Sequence, residues 1–127
     1  MGCVATAAGE AGPNYVAGAP RRAAVGAGYT LTGTVLEAGS CQAAADALVE
    51  FWLAGPDGTY GDAYRASVLT DAAGRFSFES DPPPAYSGQS PHIHLRISAP
   101  GYHAVFLLHY PAAGASEGEV AAVLAPE

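Results

Sequence analysis

Short stretches in which apolar and polar residues alternate recur along this chain. The clearest is 75–79, where Phe76 and Phe78 share one face and polar residues occupy the other, as in a strand with one buried face. Similar stretches rich in β-branched and aromatic residues predict strands at 29–36, 47–53, 67–70, 92–98, 102–109 and 119–124. About seven to eight short strands at this spacing predict an all-β fold, an antiparallel β-sandwich.

Glycine and proline punctuate these stretches. Gly55-Pro56-Asp57-Gly58 is a strong turn signal, and 71–74 predicts a hairpin-like turn between the strands on either side of it. Three consecutive prolines, 82–84, cannot pair inside a sheet, so they predict a rigid loop. Residues 1–28 have no apolar period and predict an extended N-terminal arm. The 127 residues fit one domain, 1–127, of which this arm is the first part.

Charge and hydropathy narrow the classes of partner. The formal net charge is −7, which argues against nucleic acid because a phosphate backbone is bound by basic patches. No apolar run is long enough to span a bilayer. We therefore expect no nucleic-acid partner and no transmembrane segment. The chain offers no helical dimerisation segment, so we expect a monomer or a weak homodimer.

The sequence allows several states for its two cysteines, Cys3 and Cys41. A disulfide between them would attach the arm to the domain and suits an extracytoplasmic, secreted protein; two unpaired thiols are the alternative. Cys3 could instead be the lipidated first residue of an anchored lipoprotein. The start at Met1-Gly2 also fits an N-myristoylation pattern, although we interpret these residues as what remains where a leader has been removed.

Two histidines at the start of the predicted strand 92–98 carry the most informative chemistry. Because side chains alternate along a strand, His92 and His94 project from the same face. Tyr86 ends the proline-rich loop just before them, and Tyr60 follows an earlier turn. Phenolate oxygen favours a hard, oxidised cation, ferric iron above all, and imidazole nitrogen completes such a ligand set. The pattern predicts an iron site, although a His-x-His strand alone is more often a surface or core feature.

In this order, the motifs resemble those of the intradiol ring-cleavage dioxygenases, in particular their small secreted single-domain branch. The arm contributes Gly12-Pro13-Asn14-Tyr15 and Pro20-Arg21-Arg22. The domain contributes Val49-Glu50-Phe51-Trp52, Gly58-Thr59-Tyr60, Leu69-Thr70-Asp71 with Gly74, Phe76 and Phe78, then Tyr86, Pro91-His92-Ile93-His94, Tyr110-Pro111 and Glu117-Gly118. The resemblance covers almost the whole chain.

The resemblance implies a non-haem Fe3+ held by Tyr60, Tyr86, His92 and His94. A free phenol has a pKa near 10, so only a strongly acidic cation holds it as phenolate at neutral pH. The implied reaction opens a catechol between its two hydroxyls with O2 and yields a cis,cis-muconate-type diacid. In it, the catechol displaces Tyr86, which acts as a base, and the iron acts as Lewis acid and template.

Two positions depart from the family pattern. An arginine usually stands where this chain has Gln89, which can donate hydrogen bonds but carries no charge to stabilise a negative substrate ring. Arg96 shares the strand face of His92 and His94 and could replace that charge, although a rim position or a carboxylate partner is the plainer expectation. A glutamine of the family is Leu108 here, and we expect the neighbouring His109 to be a packing residue.

The sequence leaves three functions open. The first is an iron-dependent intradiol dioxygenase acting on catechols. The second is a non-catalytic, transthyretin-like β-sandwich binding module, which explains the fold but not the order of the four tyrosine and histidine positions. The third is a family member that binds metal without turning over catechol, which Gln89 and Leu108 would favour.

Overall fold

The computed structural model describes residues 3–127 and folds them into two packed β-sheets. The strands are β1 (Tyr29–Glu37), β2 (Leu48–Trp52), β3 (Arg65–Leu69), β4 (Arg75–Ser80), β5 (Ile93–Ser98), β6 (Val105–His109) and β7 (Glu117–Leu124). One sheet has the order β4-β1-β7 and the other β3-β2-β5-β6. The predicted all-β sandwich is confirmed, and each predicted strand overlaps an observed one. The interpretation of Met1 and Gly2, including the myristoylation pattern, lies outside the described residues.

The core lies between the inner faces of the two sheets. Alternate residues of β5, namely Ile93, Leu95 and Ile97, are fully buried, while the residues between them are partly exposed. Phe51 from one sheet stacks on Phe78 from the other with ring centroids 4.1 Å apart. Burying such side chains contributes roughly 1.5–3 kcal/mol each, and it fixes which face of β5 points outward.

Two details of the topology differ from the prediction. The turn at 71–74 forms, with Gly74 N donating to Asp71 O at 2.9 Å, but it is not a hairpin because β3 and β4 belong to different sheets. The sandwich is also not wholly antiparallel, since β1 and β7 pair in parallel. Strands in parallel need a long connection, and here nearly the whole domain lies between the two.

Residues 3–28, the described part of the arm, contact all four edge strands of the sandwich, two in each sheet. The main-chain bonds are Thr6 N to Val123 O on β7, Phe106 N on β6 to Ala8 O, Arg22 N to Ser67 O on β3, and Val25 N to Glu79 O on β4, at 2.8–3.0 Å. An unpaired edge is a template for aggregation, and covering it with a loop is one natural remedy. The arm therefore closes the sandwich at all four edges.

Between β6 and β3 the arm crosses the outer face of the four-stranded sheet. Glu50 and Trp52 of β2 point to that outer face, yet they are only 3% and 2% exposed because Tyr15 of the arm packs on them. A disulfide joins Cys3, near the start of the arm, to Cys41. No helix among residues 3–127 is long and apolar enough to cross a membrane.

Candidate functional site

Tyr60 is carried by a tight loop that follows β2. Gly58 N donates to Gly55 O and Gly55 N to Thr59 O, both at 2.8 Å, while the Asp57 carboxylate accepts hydrogen bonds from Thr59. Gly58 has φ of +82°, and a Cβ there would lie 3.2 Å from the Cβ of Tyr86. The glycine thus allows the Tyr60 loop to lie directly against the Tyr86 loop.

Tyr86 begins a two-residue turn after the three prolines. Tyr86 and Gln89 exchange both main-chain hydrogen bonds, at 3.2 and 2.7 Å, and the residues between them, Ser87 and Gly88, have φ of 48° and 75°. Positive φ at both central positions is the hallmark of a type I′ turn, which suits tight reversals. The turn fixes the backbone of Tyr86.

His94 lies near the start of β5 and His92 immediately precedes the strand, with Ile93 between them pointing into the core. His92 is 3% exposed, and its Nδ1 lies 2.8 Å from Ser90 O. Because a carbonyl can only accept, Nδ1–H donates to it and Nε2 keeps its lone pair free. His94 lies opposite Trp52 in the β2–β5 ladder.

These four side chains converge, and we call them the Tyr–His cluster. The Nε2 atoms of His92 and His94 are 3.2 Å apart. The Tyr60 hydroxyl lies 3.0 Å from His94 Nε2 and 3.4 Å from His92 Nε2. The Tyr86 hydroxyl lies 3.2 Å from His92 Nε2 and hydrogen-bonds the Tyr60 hydroxyl. The sequence-predicted set is therefore brought to one point from three segments of the chain.

The donor set fits a trivalent iron ion. Donors bound to one metal at about 2 Å lie close to one another, as the cluster's do. Burial, and then the hydrogen bond and charge of Tyr86, raise the pKa of Tyr60, so only a strongly acidic cation would displace its proton. Burial, and then the charge of His92, lower the pKa of His94 to about 4. His94 is thus neutral and able to coordinate at neutral pH.

A metal site at this point would depend on tyrosine ligands. Within residues 3–127, no group of three or more His, Cys, Asp or Glu side chains is arranged to hold a metal ion. The candidate centre is instead the two phenols and two imidazoles of the Tyr–His cluster. Iron binds phenolate oxygen and imidazole nitrogen well, whereas magnesium and calcium prefer sites made only of oxygen ligands.

Gln89 and Arg96 lie outside the cluster. The Gln89 side chain is exposed, although its backbone brackets Tyr86. Arg96 Nη1 donates to the Glu50 carboxylate at 3.0 Å, and its guanidinium lies 5.8 Å from the Phe106 ring centre. Neither side chain hydrogen-bonds a cluster atom among the described residues. The plainer expectation for Arg96, a carboxylate partner, matches this pairing.

His109 is also occupied elsewhere. Its Nε2 lies 2.7 Å from the Tyr29 hydroxyl, and burial lowers its pKa. Leu108 is exposed. The contact of His109 with Tyr29 agrees with the packing role expected for this histidine. Neither His109 nor Leu108 joins the cluster, which keeps four residues.

A cleft of about 230 Å³ opens beside Tyr60. The arm supplies Pro13, Asn14 and Val16 to its wall, and the domain supplies Trp52, Tyr60 and Arg65, among others. Proline, valine and indole provide apolar surface, while the amide and guanidinium provide hydrogen-bond donors. A flat aromatic molecule with polar substituents suits such a lining.

Sequence reasoning matched Trp52, Glu50 and Tyr15 to motifs but gave them no role in the site. The period of two along β2 could have placed Glu50 and Trp52 on the face of His94, since Val49 and Phe51 alternate with them toward the core. The contact from Tyr15 could not have been found this way because the arm has no regular period.

The chain is similar in structure to solved dioxygenases over nearly its whole length. The dioxygenase domain of a dioxygenase–carbohydrate-binding fusion from the cellulolytic bacterium Streptomyces sp. SirexAA-E matches with a TM-score of 0.81 and 25% identity, covering 98% of this chain and 100% of that domain. 3-Chlorocatechol 1,2-dioxygenase from Rhodococcus opacus 1CP matches at 0.80 and 19% identity, over 96% of this chain and 73% of that one.

Hydroxyquinol 1,2-dioxygenase from Pseudomonas putida DLL-E4 matches with a TM-score of 0.79 and 16% identity, over 97% of this chain and 67% of that one. No protein-family model matches the chain, and no curated protein sequence matches it. The resemblance that the order of motifs predicted is therefore confirmed at the level of the fold.

Proposed function

We propose that this chain, whose fold is that of the intradiol ring-cleavage dioxygenases, is an iron-dependent enzyme that cleaves catechol-type rings with O2. The observation that carries the proposal is the convergence of the Tyr60 and Tyr86 hydroxyls with the Nε2 atoms of His92 and His94, at separations up to 3.4 Å. A sandwich serving only as a binding module has no need to gather these four donors, which argues against the transthyretin-like alternative.

The four residues of the Tyr–His cluster would hold Fe3+. When bound, the ion supplies Lewis-acid character that keeps phenols and a chelated catechol deprotonated. Tyr60 and the two imidazoles would anchor the ion, and the phenolate oxygen of Tyr86 would accept one of the catechol protons and become a neutral phenol. Both atoms of O2 enter the product, one on each hydroxyl-bearing carbon, so catechol and O2 together give a muconic acid and nothing else.

The cleft beside Tyr60 would receive the aromatic ring. Pro13 of the arm and Trp52 of β2 line it with apolar surface, which limits water next to the reacting carbons and strengthens polar interactions there. Asn14 and Arg65 line the same cleft and can donate hydrogen bonds to ring substituents. The substrates we propose are thus small catechols, with O2 as the second substrate.

An inactive, metal-binding protein is the second candidate. The charge of Arg96 is paired with Glu50, and Gln89 is uncharged and exposed. Neither side chain therefore directs a free positive charge at the cluster in this structure. Charge stabilisation of a substrate ring would then be weaker. Elemental analysis joined to oxygen-uptake measurements with catechol and protocatechuate decides between the candidates.

Each candidate predicts a different result. An active dioxygenase contains about one iron per chain and consumes one O2 per catechol. The inactive alternative contains iron but takes up no O2 with either substrate. If the folded protein binds no iron after reconstitution, that result would contradict both candidates and favour the binding-module alternative.

We also propose an extracytoplasmic location, in a secreted form and not one anchored through a lipid on Cys3. The Cys3–Cys41 disulfide supports an oxidising compartment, and a bridged Cys3 has no free sulfur for lipid attachment. Intact-mass measurement with and without reductant tests both points. A bridge adds two hydrogens on reduction, whereas a lipid leaves a much larger mass in both conditions.

A further inference from the structure

The two histidines of the Tyr–His cluster are oriented by different means. His92 donates from Nδ1 to Ser90 O at 2.8 Å, which is the usual way a ligating imidazole is fixed. His94 uses Nε2 in the cluster, and no protein group among residues 3–127 hydrogen-bonds its Nδ1. The plane of the His94 ring is therefore not set by a protein hydrogen bond to Nδ1.

Trp52 stacks against the ring of His94. Its ring lies 5.0 Å from the His94 ring, centroid to centroid, with an angle of 10° between the planes. The two residues are direct partners in the β2–β5 ladder, so the stack is built into the register of the sheet. Trp52 is 2% exposed, and its Nε1 has no hydrogen-bond partner among the described residues. Leaving that donor unpaired costs free energy, so the indole contributes here through its face.

A second aromatic contact of Trp52 comes from the arm. The Tyr15 ring lies 4.9 Å from the Trp52 ring. The Tyr15 hydroxyl donates to both carboxylate oxygens of Glu50, at 3.0 and 3.2 Å, and Glu50 is in turn held by Arg96. A buried, paired carboxylate thus fixes Tyr15, and Tyr15 confines Trp52 against His94.

We propose that Trp52 is a positioning residue that sets the ring plane of His94, and that Tyr15 holds Trp52 in place. The stack replaces the hydrogen bond that orients His92. Glu50 and Arg96 act further back, by fixing Tyr15. As far as metal binding is concerned, the inference rests on the proposed iron site, but the orientation of His94 can be measured without metal.

The test compares Trp52→Leu, Trp52→Phe and a matched control, Phe76→Leu. Phe76 is a buried core aromatic that packs on Phe51 and does not contact the cluster, so its loss reproduces the general cost of removing a buried ring. Loss of an orienting partner typically weakens metal binding by about 10–100-fold. We expect that loss of ferric ion affinity, measured by competition with citrate, for Trp52→Leu and a smaller loss for Trp52→Phe.

The control should stay within about threefold of the wild-type affinity, well below the 10–100-fold expected for an orienting residue. Rescue by phenylalanine separates stacking from mere volume. Tyr15→Phe, which keeps the ring and removes the hydroxyl, should weaken affinity in the same direction by a smaller factor. Tyr102→Phe is its control, because Tyr102 lies near Glu37, which raises the pKa of its hydroxyl, and forms no hydrogen bond to the cluster.

Histidine ring spectra of the metal-free, 15N-labelled protein give the second measurement. Trp52→Leu should move the His94 imidazole 15N resonances, which report the tautomer and hydrogen bonding of the ring and not the ring current of the indole, and leave those of His92 near their wild-type positions. Equal affinity losses in Trp52→Leu and Phe76→Leu, or unmoved His94 resonances, would overturn the inference. Should Trp52→Leu fail to fold, Trp52→Phe and Tyr15→Phe decide by the same two measurements.

Failure of the proposed function gives a different pattern. If wild-type protein binds no ferric ion, the iron site is wrong, but the metal-free spectra still decide whether Trp52 sets the His94 ring. If wild-type protein binds ferric ion and the Trp52 variants match the Phe76 control, the iron site stands and the positioning role is wrong.

Discussion

At the scale of single residues, the two phenols should carry the colour of the iron-loaded protein. Phenolate bound to ferric iron absorbs visible light by charge transfer, so Tyr60→Phe and Tyr86→Phe should each shift or bleach that band. Iron affinity should fall by more than the ~10–100-fold typical of residues that only orient a ligand. Absorption spectroscopy of Tyr102→Phe provides the control. An unchanged band in either cluster variant would contradict the ligand assignment.

His94 makes a pH prediction for the metal-free protein. Its pKa is about 4 in the folded state against an ordinary value of 6.5, because burial and His92 disfavour its charged form. Between these values the unfolded chain binds a proton that the folded chain does not, so the free energy of unfolding should fall as pH drops from 6.5 toward 4. Urea unfolding across that range should show a weaker fall for His94→Gln than for wild type.

The exposed His103 supplies the matched variant for that experiment. His103→Gln changes a histidine outside the cluster and should keep the wild-type dependence on pH. If His94→Gln and His103→Gln behave alike, the origin of the pH dependence lies elsewhere.

Much of the site could be predicted residue by residue. A period of two placed His92 and His94 on one face, and the order of motifs brought Tyr60 and Tyr86 to them. The partner of Arg96 was not predictable with certainty because Glu50 faces it only in the register that the β2–β5 pair adopts. Register depends on the whole sheet, which a local pattern does not contain.

At the scale of elements, the 71–74 turn gives a stability prediction. Gly74 has φ of +75°, and a Cβ there would lie 2.4 Å from Val35 O, whereas Gly101 has φ of +84° with no atom within 4 Å. Gly101→Ala should cost only the left-handed backbone term, about 1–2 kcal/mol. Gly74→Ala should cost about 3 kcal/mol or more, since a main-chain clash is added. Urea unfolding measures both, and equal costs would contradict the close approach to β1.

The same turn shows what a local sequence pattern cannot predict, namely which sheet each flanking strand joins. The sequence predicted both flanking strands and the turn itself, but a tight turn looks alike whether it joins neighbours or crosses between sheets. Gly74 O accepts a hydrogen bond from Val35 N at 2.7 Å, so the turn is held by β1, which lies in the sheet of β4 and not in that of β3. That contact joins residues far apart in the sequence and leaves no mark on the local alternation.

At the scale of the whole molecule, the disulfide should contribute strongly to stability. Cys3 and Cys41 are 38 residues apart, and closing a loop of that size restricts the unfolded chain by about 3–4 kcal/mol. Cys41→Ser should lower the free energy of unfolding by roughly that amount, as should the double variant with Cys3→Ser, because one bond is lost in each case. Additive losses from the two serines would contradict a bridge between them.

The arm's wrapping could not be predicted, because it is built from main-chain bonds that carry no sequence period. Those fastenings have a practical consequence. Peptide groups hold the arm on both sides of the cleft beside Tyr60, at Ala8 and again at Pro20 and Arg22, while Asn14 and Val16 between them offer side chains to the cavity. Variation on a rigid scaffold is how binding specificity commonly diverges. Under the proposed function, randomising these two positions should change which ring substituents the protein accepts, with the architecture left in place.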